Sequence, residues 1–418
     1  MTAEANRGYA SCLSWCYNRD FKNDFDLATM MLSFCSTFRL FSALLLLVYM
    51  QTALATPVVN SVFTPAAPTV AASAYFLMDF NSGRVLAEKD ADKHLAPASL
   101  TKIMTAYVVF RELKSGHLTL SEKATISQKA WETGGSKMFV AVNKQVTIED
   151  LLQGMIIQSG NDASVALAEH VAGSEETFAT MMNEQAERIG MTNSHFENSM
   201  GLPSPNHYSS ARDLAKLAQA LIKEFPEYYR WDSQKEFTYN NITQQNRNLL
   251  LWRDPSVDGI KTGHTDDAGY CMVASAKRED MRLIAVVMGT ASANARSNES
   301  ESLLNFGFRF YETHRLYEAK TPLIEARIRK GETSKLQVGV AEDVYVTAPR
   351  KHFNEIKAET QVDKGLAAPI NAGDTVGALT VSFGGETILN QPLVAMQSVA
   401  EGGIFRRLYD AAVGLLEK

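Results

Sequence analysis

Strand-like stretches at the two ends of the chain's first three hundred residues constrain its fold most. Late in that region, residues 270–276 (Tyr-Cys-Met-Val-Ala-Ser-Ala) and 282–289 (Arg-Leu-Ile-Ala-Val-Val-Met-Gly) enclose a polar turn at 277–280. They read as an antiparallel hairpin, with 257–264 as a neighbouring edge strand. Early on, residues 75–79 and 84–88 flank Asn81-Ser-Gly83, a second hairpin signal. Between the two hairpins the period is helical. Leu100, Met104, Tyr107, Val108 and Leu113 recur at helical spacing. Further helices are expected at 148–158, 162–172, 175–189 and 210–223, the last capped by Ser209-Ser210 with Asp213 in its first turn. Helical residues 299–312 close this part. Strands, then helices, then strands specify an α+β domain whose sheet mixes both chain ends.

From about residue 318 the texture changes. Short strands at 338–340, 343–347, 355–359, 375–383 and 386–389 alternate with Gly, Pro and Asn turns. This predicts a small all-β module. The expected organisation is a signal region at 1–55, a linker at 56–72, a large α+β domain at 73–315, a β-rich domain at 316–398 and a terminal helix at 399–418.

The N-terminus reads as targeting sequence. Arg39 precedes an apolar run at 41–50, and Ala53-Leu-Ala55 is a small-x-small cleavage pattern. The run is too short to span a bilayer, which takes ~20 residues. Cleavage after Ala55 is the reading adopted, with an uncleaved anchor as the alternative. The region before the apolar run is long for a signal, and Met30 or Met31 is the expected true start. Cleavage would remove Cys12, Cys16 and Cys35, leaving Cys271 alone and no internal disulfide. The tail is amphipathic. Ile404, Phe405, Leu408, Ala412, Leu415 and Leu416 fall on one side of a helix, while Arg406, Arg407 and Asp410 fall elsewhere. It is too short to span and would lie in a membrane interface, or else pack on the β module.

A net charge of −6 supplies no basic field for nucleic acid. The eight His are scattered without zinc spacing, and neither a metal nor a cofactor is implied. His94, His117, His170, His195 and His207 suit surface or loop positions and Cys271 a buried strand position, and Gly134-Gly135-Ser136 is no phosphate loop, because no Lys-Ser/Thr and helix follow in register.

Three triplets carry chemistry. In Pro97-Ala-Ser99-Leu-Thr-Lys102 the serine and lysine share a helix face, and Ser99 sits at the helix start, where the dipole is positive. A desolvated amine there can take the serine proton. Alone the pattern is weak, since a chain of this length yields on the order of one Ser-x-x-Lys by chance. Ser159-Gly160-Asn161 follows an apolar stretch at 151–157, but Ser204-Pro-Asn206 and Ser292-Ala-Asn294 match it and read as turns. Lys261-Thr262-Gly263 lies on the expected edge strand. Chance predicts on the order of 0.1 such triplets. Its glycine lets a ligand approach the backbone, its lysine fixes a positive charge and its threonine offers a hydroxyl to an anion.

Ordered as they are, about 60 and about 100 residues apart, these triplets resemble the signature set of penicillin-binding proteins and serine β-lactamases. Residues 92–105, 158–165, 208–214 and 257–270, Arg247-Asn248 with Leu250-Leu-Trp252, and Asn305-Phe-Gly-Phe-Arg309 resemble more narrowly the low-molecular-mass penicillin-binding proteins, serine D-alanyl-D-alanine carboxypeptidases of peptidase family S11. The β module and tail share the resemblance, which covers nearly everything after about residue 73.

The resemblance implies a penicillin-binding/β-lactamase-like transpeptidase domain followed by the β domain. It implies Ser99 as acylated nucleophile, Lys102 as its base and Ser159 as a proton relay to the leaving D-alanine. Asn161 would bind the peptide amide and Lys261 polarise the site. Thr262 with Arg296 would hold the terminal carboxylate, beside Gly263. Backbone N–H groups of Ser99 and His264 would form an oxyanion hole. The sequence around Arg296 departs from the family pattern, and a solvated loop arginine is the competing reading. The implied partners are peptidoglycan stem peptides, β-lactams and the outer face of the inner membrane, where the enzyme would be periplasmic and peripherally attached. Three other functions compete. A β-lactamase would need an acidic loop between the second and third motifs; Glu301-Ser-Leu-Leu-Asn305 imitates one but lies after Lys-Thr-Gly. A D,D-endopeptidase would use the same site. A non-catalytic wall-binding protein would not need Ser99, Lys102, Ser159 and Lys261 intact.

Overall fold

The computed structural model describes residues 66–405. The expected signal region, most of the linker and tail residues 406–418 lie outside them.

The first domain is built on five antiparallel strands: β1 (Ala74–Asp79), β2 (Val85–Lys89), β3 (Val257–Thr265), β4 (Gly269–Arg278) and β5 (Met281–Thr290). Their order is β2-β1-β5-β4-β3, so the early hairpin joins the late one through β1 and β5, with Phe76 opposite Val286. The edge position expected for the Lys-Thr-Gly strand is the one observed.

Alternation along these strands fills two cores. Phe76, Met78, Val273, Ile284 and Val286 face the helical layer. Leu77, Met272, Ala274, Leu283 and Val287 face the opposite side, with Leu303, Leu304, Phe306 and Phe308. The helical layer comprises α1 (Thr101–Ser115), α2 (Ile148–Ile157), α3 (Asn161–Ala172), α4 (Glu175–Ile189) and α5 (Ala211–Glu224); α6 (Ala293–Phe310) covers the other face. Their starts are set by side-chain caps. Thr147, Ser174, Ser210 and Ser292 accept N–H bonds at the starts of α2, α4, α5 and α6. Gly307 brings α6 onto the sheet, because a Cβ there would lie 2.5 Å from Leu283 Cδ1.

Helix α6 starts six residues before the expected 299. Its first turns are polar and carry no apolar period, so only the Ser292 cap marks the true start.

The chain then runs directly into the second domain: β6 (Tyr311–Tyr317), β7 (Pro322–Arg327), β8 (Lys335–Gly339), β9 (Val344–Pro349), β10 (Lys357–Val362), β11 (Thr375–Phe383) and β12 (Glu386–Ala395). Five strands form a sheet in the order β7-β8-β12-β11-β10, while β6 and β9 pair separately. Strands β6 and β7 were not expected from sequence, because both are half-exposed and interrupted by charged residues, without a clear apolar alternation. The core contains Leu336, Val338, Val346, Leu379, Val381 and Leu393.

A polar joint links the domains. Thr313 Oγ1 donates to the buried Asp79 carboxylate at 2.8 Å, Ser82 and Thr347 hydroxyls meet at 2.5 Å, and Arg84 donates to the Thr347 carbonyl at 2.5 Å. Among the described residues no helix is long and apolar enough to cross a membrane.

Candidate active site

Ser99 lies in the single 3-10 turn Ala98–Leu100 that leads into α1. Helix α1 is buried on nearly every side from Thr101 to Phe110, so the Ser-x-x-Lys pair is not a surface pair. Lys102 is 1% exposed. Its Nζ lies 3.0 Å from Ser99 Oγ, 2.7 Å from Asn161 Oδ1 and 2.7 Å from the Met200 carbonyl oxygen. Burial, then the charges of Lys261 and Arg247, hold this amine well below the ordinary lysine range, against a smaller opposing pull from Asp162.

The second wall forms where α2 ends and α3 begins. Ser159 adopts a left-handed φ of 72°. Its hydroxyl is buried and has no hydrogen-bond partner within the protein, a position that favours a ligand group able to share a proton. Asn161 starts α3. Its N–H donates to the Ser136 carbonyl, and its Nδ2 donates to the Gly134 carbonyl, both at 2.7 Å. The second bond fixes the amide orientation, so Oδ1 faces Lys102. A peptide bound to Asn161 would therefore share an amide already engaged at both ends.

Gly134-Gly135-Ser136, set aside from sequence as no phosphate loop, is part of this wall. A Cβ on Gly135, at φ +83°, would lie 2.7 Å from Asn161 Nδ2. Asp162 holds the same loop, accepting N–H bonds from Met138 and Phe139 at 2.9 Å.

The third wall is β3. Lys261 is buried, and its Nζ donates to the Thr262 carbonyl at 3.1 Å. Burial, with Arg247 and Arg296 nearby, lowers its pKa to about 7. Gly263 permits the close approach expected of it. A Cβ there would meet Pro97 O at 3.0 Å and Ser99 N at 3.2 Å.

Arg296 is in the first turn of α6, only 6% exposed, and donates from Nη1 to the Gly263 carbonyl at 3.0 Å. It also lies over the Tyr270 ring, which packs on His264 with centroids 4.0 Å apart. The loop-arginine reading is thus overturned, because the Ser292 cap turns the supposed loop into a helix that carries Arg296 inward.

Ser99, Ser159, Asn161, Thr262, Gly263, His264 and Arg296 line one cleft of about 730 Å³, with Lys102 and Lys261 beneath it. Arg247 lines it too. Sequence reasoning noted Arg247 only as part of a similar stretch, since its polar surroundings, Gln-Gln-Asn-Arg-Asn, carry no period that marks an inward side chain. Two other residues took places relevant to the sequence reading. Cys271 is a core thiol, pushed up to about 11 by burial. His207, expected at a surface or loop position, does lie in a loop but is buried against α1. Among the described residues no cluster of three metal-ligating side chains occurs.

Residues 61–292 match the sequence profile of D-alanyl-D-alanine carboxypeptidases, peptidase S11. The chain belongs to that family. Residues 311–401 match the C-terminal domain of penicillin-binding protein 5. Among curated relatives, D-alanyl-D-alanine carboxypeptidase DacC of Escherichia coli (strain K12) is 46% identical over 83% of this chain and 89% of its own length. Among solved structures, penicillin-binding protein 5 from Haemophilus influenzae is 42% identical with a TM-score of 0.77, covering 81% of this chain and 100% of that one. Penicillin-binding protein D2 from Listeria monocytogenes, solved in an ampicillin-bound form, is 30% identical with a TM-score of 0.54, over 58% of this chain and 100% of that one. A serine-type D-alanyl-D-alanine carboxypeptidase with the two-domain build of penicillin-binding protein 5 accounts for both profiles.

Proposed function

We propose that this carboxypeptidase removes the terminal D-alanine of peptidoglycan stem pentapeptides through an acyl-enzyme on Ser99. The observation that carries the assignment is the set of neighbours around Lys102. Asn161 Oδ1 and the Met200 carbonyl can only accept hydrogen bonds. A neutral amine gives each one N–H, and its lone pair is left for the Ser99 hydroxyl. Low pKa and geometry therefore agree on Lys102 as general base.

Ser99 Oγ attacks the carbonyl carbon of the penultimate D-alanine as its proton passes to Lys102. The carbonyl oxygen takes negative charge against the N–H groups of Ser99 and His264. The C–N bond then breaks, and the Lys102 proton reaches the leaving amine through Ser159. Water hydrolyses the ester and regenerates Ser99. Thr262, Arg296 and Arg247 converge on the position of the substrate carboxylate, with Lys261 adding field beneath.

A β-lactam presents a strained amide to the same nucleophile, and the ampicillin-bound Listeria relative supports extending that reactivity to Ser99. The β-lactamase alternative loses its best residue, since Glu301 lies within α6. Fluorescent-penicillin labelling and D-alanine release from a D-Ala-D-Ala peptide test the assignment. Both should vanish in a folded Ser99→Ala variant, and undiminished labelling would refute it.

The proposal extends to location. The apolar run and Ala53-Leu-Ala55 favour export, with domain boundaries near 73, 315 and 398. Ile404 and Phe405, the last described residues, are 65% and 90% exposed and begin the apolar side of the tail. That exposure favours interfacial docking over packing on the β domain. Deleting 403–418 should release the mature enzyme from membranes with catalysis intact. A full-length mature protein that does not float with liposomes would reject the anchor.

A further inference from the structure

We propose that His207 is a positioning residue for Lys102: its neutral imidazole ties the loop spanning 197–207 to the hydroxyl of Thr101, and thereby holds the Met200 carbonyl where the amine needs an acceptor. The inference rests on Lys102 being the general base.

The loop lies over the turn that carries the nucleophile. Gly201, at φ +88°, passes so close that a Cβ would fall 1.8 Å from the Ala98 carbonyl oxygen and 2.8 Å from Thr101 Oγ1. Immediately before it, the Met200 carbonyl accepts the Lys102 bond at 2.7 Å. The loop's inner bend is held by Asn198, whose Oδ1 accepts from Gly201 N at 2.7 Å and Leu202 N at 3.2 Å. These bonds are internal to the loop and set its shape. Ser199, beside Met200, is tied to α1 by Thr105 Oγ1, which donates to its carbonyl at 2.5 Å, and to α3 by Ser164 Oγ at 2.9 Å. His207 adds a second tie to α1 one turn earlier, joining both ends of the loop to Thr101.

The imidazole bridges two elements. Glu197 N–H donates to Nδ1 at 3.0 Å, and Nε2 lies 2.8 Å from Thr101 Oγ1. A backbone N–H can only donate, so Nδ1 is the bare nitrogen and Nε2 carries the proton toward Thr101. Thr101 is the residue between Ser99-Leu100 and Lys102. One ring therefore joins the motif helix to the loop that supplies the motif lysine's acceptor.

The bridge works only while the ring is neutral, because a proton on Nδ1 would face the Glu197 N–H. Burial holds the pKa down to about 4, with His195 adding to the effect and Glu197 and Glu175 opposing it. Thr101, the side chain facing it from α1, carries no charge. Above about pH 4 the ring is neutral and the tie stays in place.

The test measures acylation rate constants with a fluorescent penicillin from acid to alkaline pH, alongside thermal melts. In His207→Leu both bonds are lost, water gains access to Lys102, and burial no longer depresses its pKa as far. Acylation at neutral pH should fall about 10- to 100-fold, the loss expected when a reacting group is misplaced by about an ångström. The acid limb of the profile should move up by roughly half a pH unit or more.

His207→Asn retains an acceptor near the Nδ1 position and His207→Gln a donor near the Nε2 position, so each should fall between parent and leucine variant. Thr101→Val should shift the limb in the same direction, and it carries the test if the leucine variant does not fold. Rates within two-fold of parent and an unmoved limb would overturn the proposal. So would activity that falls only in step with melting temperature while the limb stays fixed. Lys102→Arg is measured in parallel: if it acylates at the parent rate, the base assignment has failed, whatever the His207 variants do.

Discussion

Replacing Lys261 by methionine should abolish catalysis and stabilise the fold. The lysine is buried, and its amine titrates near about 7 in place of 10.5 because of burial and the nearby charges of Arg247 and Arg296, with Asp232 opposing them. At ~1.36 kcal/mol per pH unit, carrying the charge there costs up to ~5 kcal/mol. Methionine fills a comparable volume without charge. It forfeits the bond to the Thr262 carbonyl, worth ~1 kcal/mol, and the surroundings relax around the lysine in part. A net gain of ~2–3 kcal/mol is expected, within the range found when buried charges are replaced by apolar residues. For a domain of this size that is about 5–10 °C in Tm.

The gain has a pH signature. Below about pH 7 the amine is charged in folded and unfolded chains alike, and the full penalty is present. Between about 7 and 10.5 the folded chain has released its proton and the unfolded chain has not. The parent therefore gains stability as pH rises, and the gap to the variant closes. Thermal melts of both proteins at pH 6 and pH 10 check this. A methionine variant that melts no higher than the parent at pH 6, or a gap that does not change with pH, would refute the reasoning.

Acylation should rise with pH through the depressed pKa of Lys102, and Lys102→Arg, which cannot deprotonate, should label with penicillin at least about 1,000-fold more slowly. Arg296→Ala should lower kcat/KM on D-Ala-D-Ala ends by about 10- to 100-fold, the equivalent of ~1.5–3 kcal/mol for a charge-assisted contact, as measured by D-alanine release. Gly201→Ala should cost at least ~2 kcal/mol in Tm measurements and slow acylation, because its Cβ would overlap the Ala98 carbonyl.

Much of the site was legible because its chemistry sits in short local patterns. Ser99 and Lys102 announce each other at helical spacing, and Lys261-Thr262-Gly263 precedes the apolar hairpin at 270–289 that marks its strand as a neighbouring edge. The two-ended sheet was legible for the same reason. Residues whose roles depend on distant partners were not. Arg247 enters the cleft from a polar stretch without a period. Gly134 and Gly135 matter because Asn161, 26 or more residues later, packs against them. Arg296 was picked out only through the family resemblance, with a loop arginine as the competing reading, because a serine cap, not an apolar stripe, starts its helix. That the loop residue His207 is buried was not legible, because burial of a lone histidine is decided by two bonds made after folding. Strands β6 and β7 were missed because charged, half-exposed strands lack alternation.

The pairing of β1 with β5 sets when the enzyme becomes competent. Phe76 and Val286 are about 210 positions apart in the chain, and contacts of such separation form slowly. At roughly 5–20 residues per second, synthesis of the intervening chain takes about 10–40 s. Throughout that interval Ser99 and Lys102 exist without β3 to bury the amine or α6 to bring in Arg296. A nascent chain ending before residue 257 therefore holds the nucleophile and its base but has no acylating site. Reactivity toward penicillin should appear in one step as the last strands join the sheet, so that a growing chain has no half-active intermediate to be trapped.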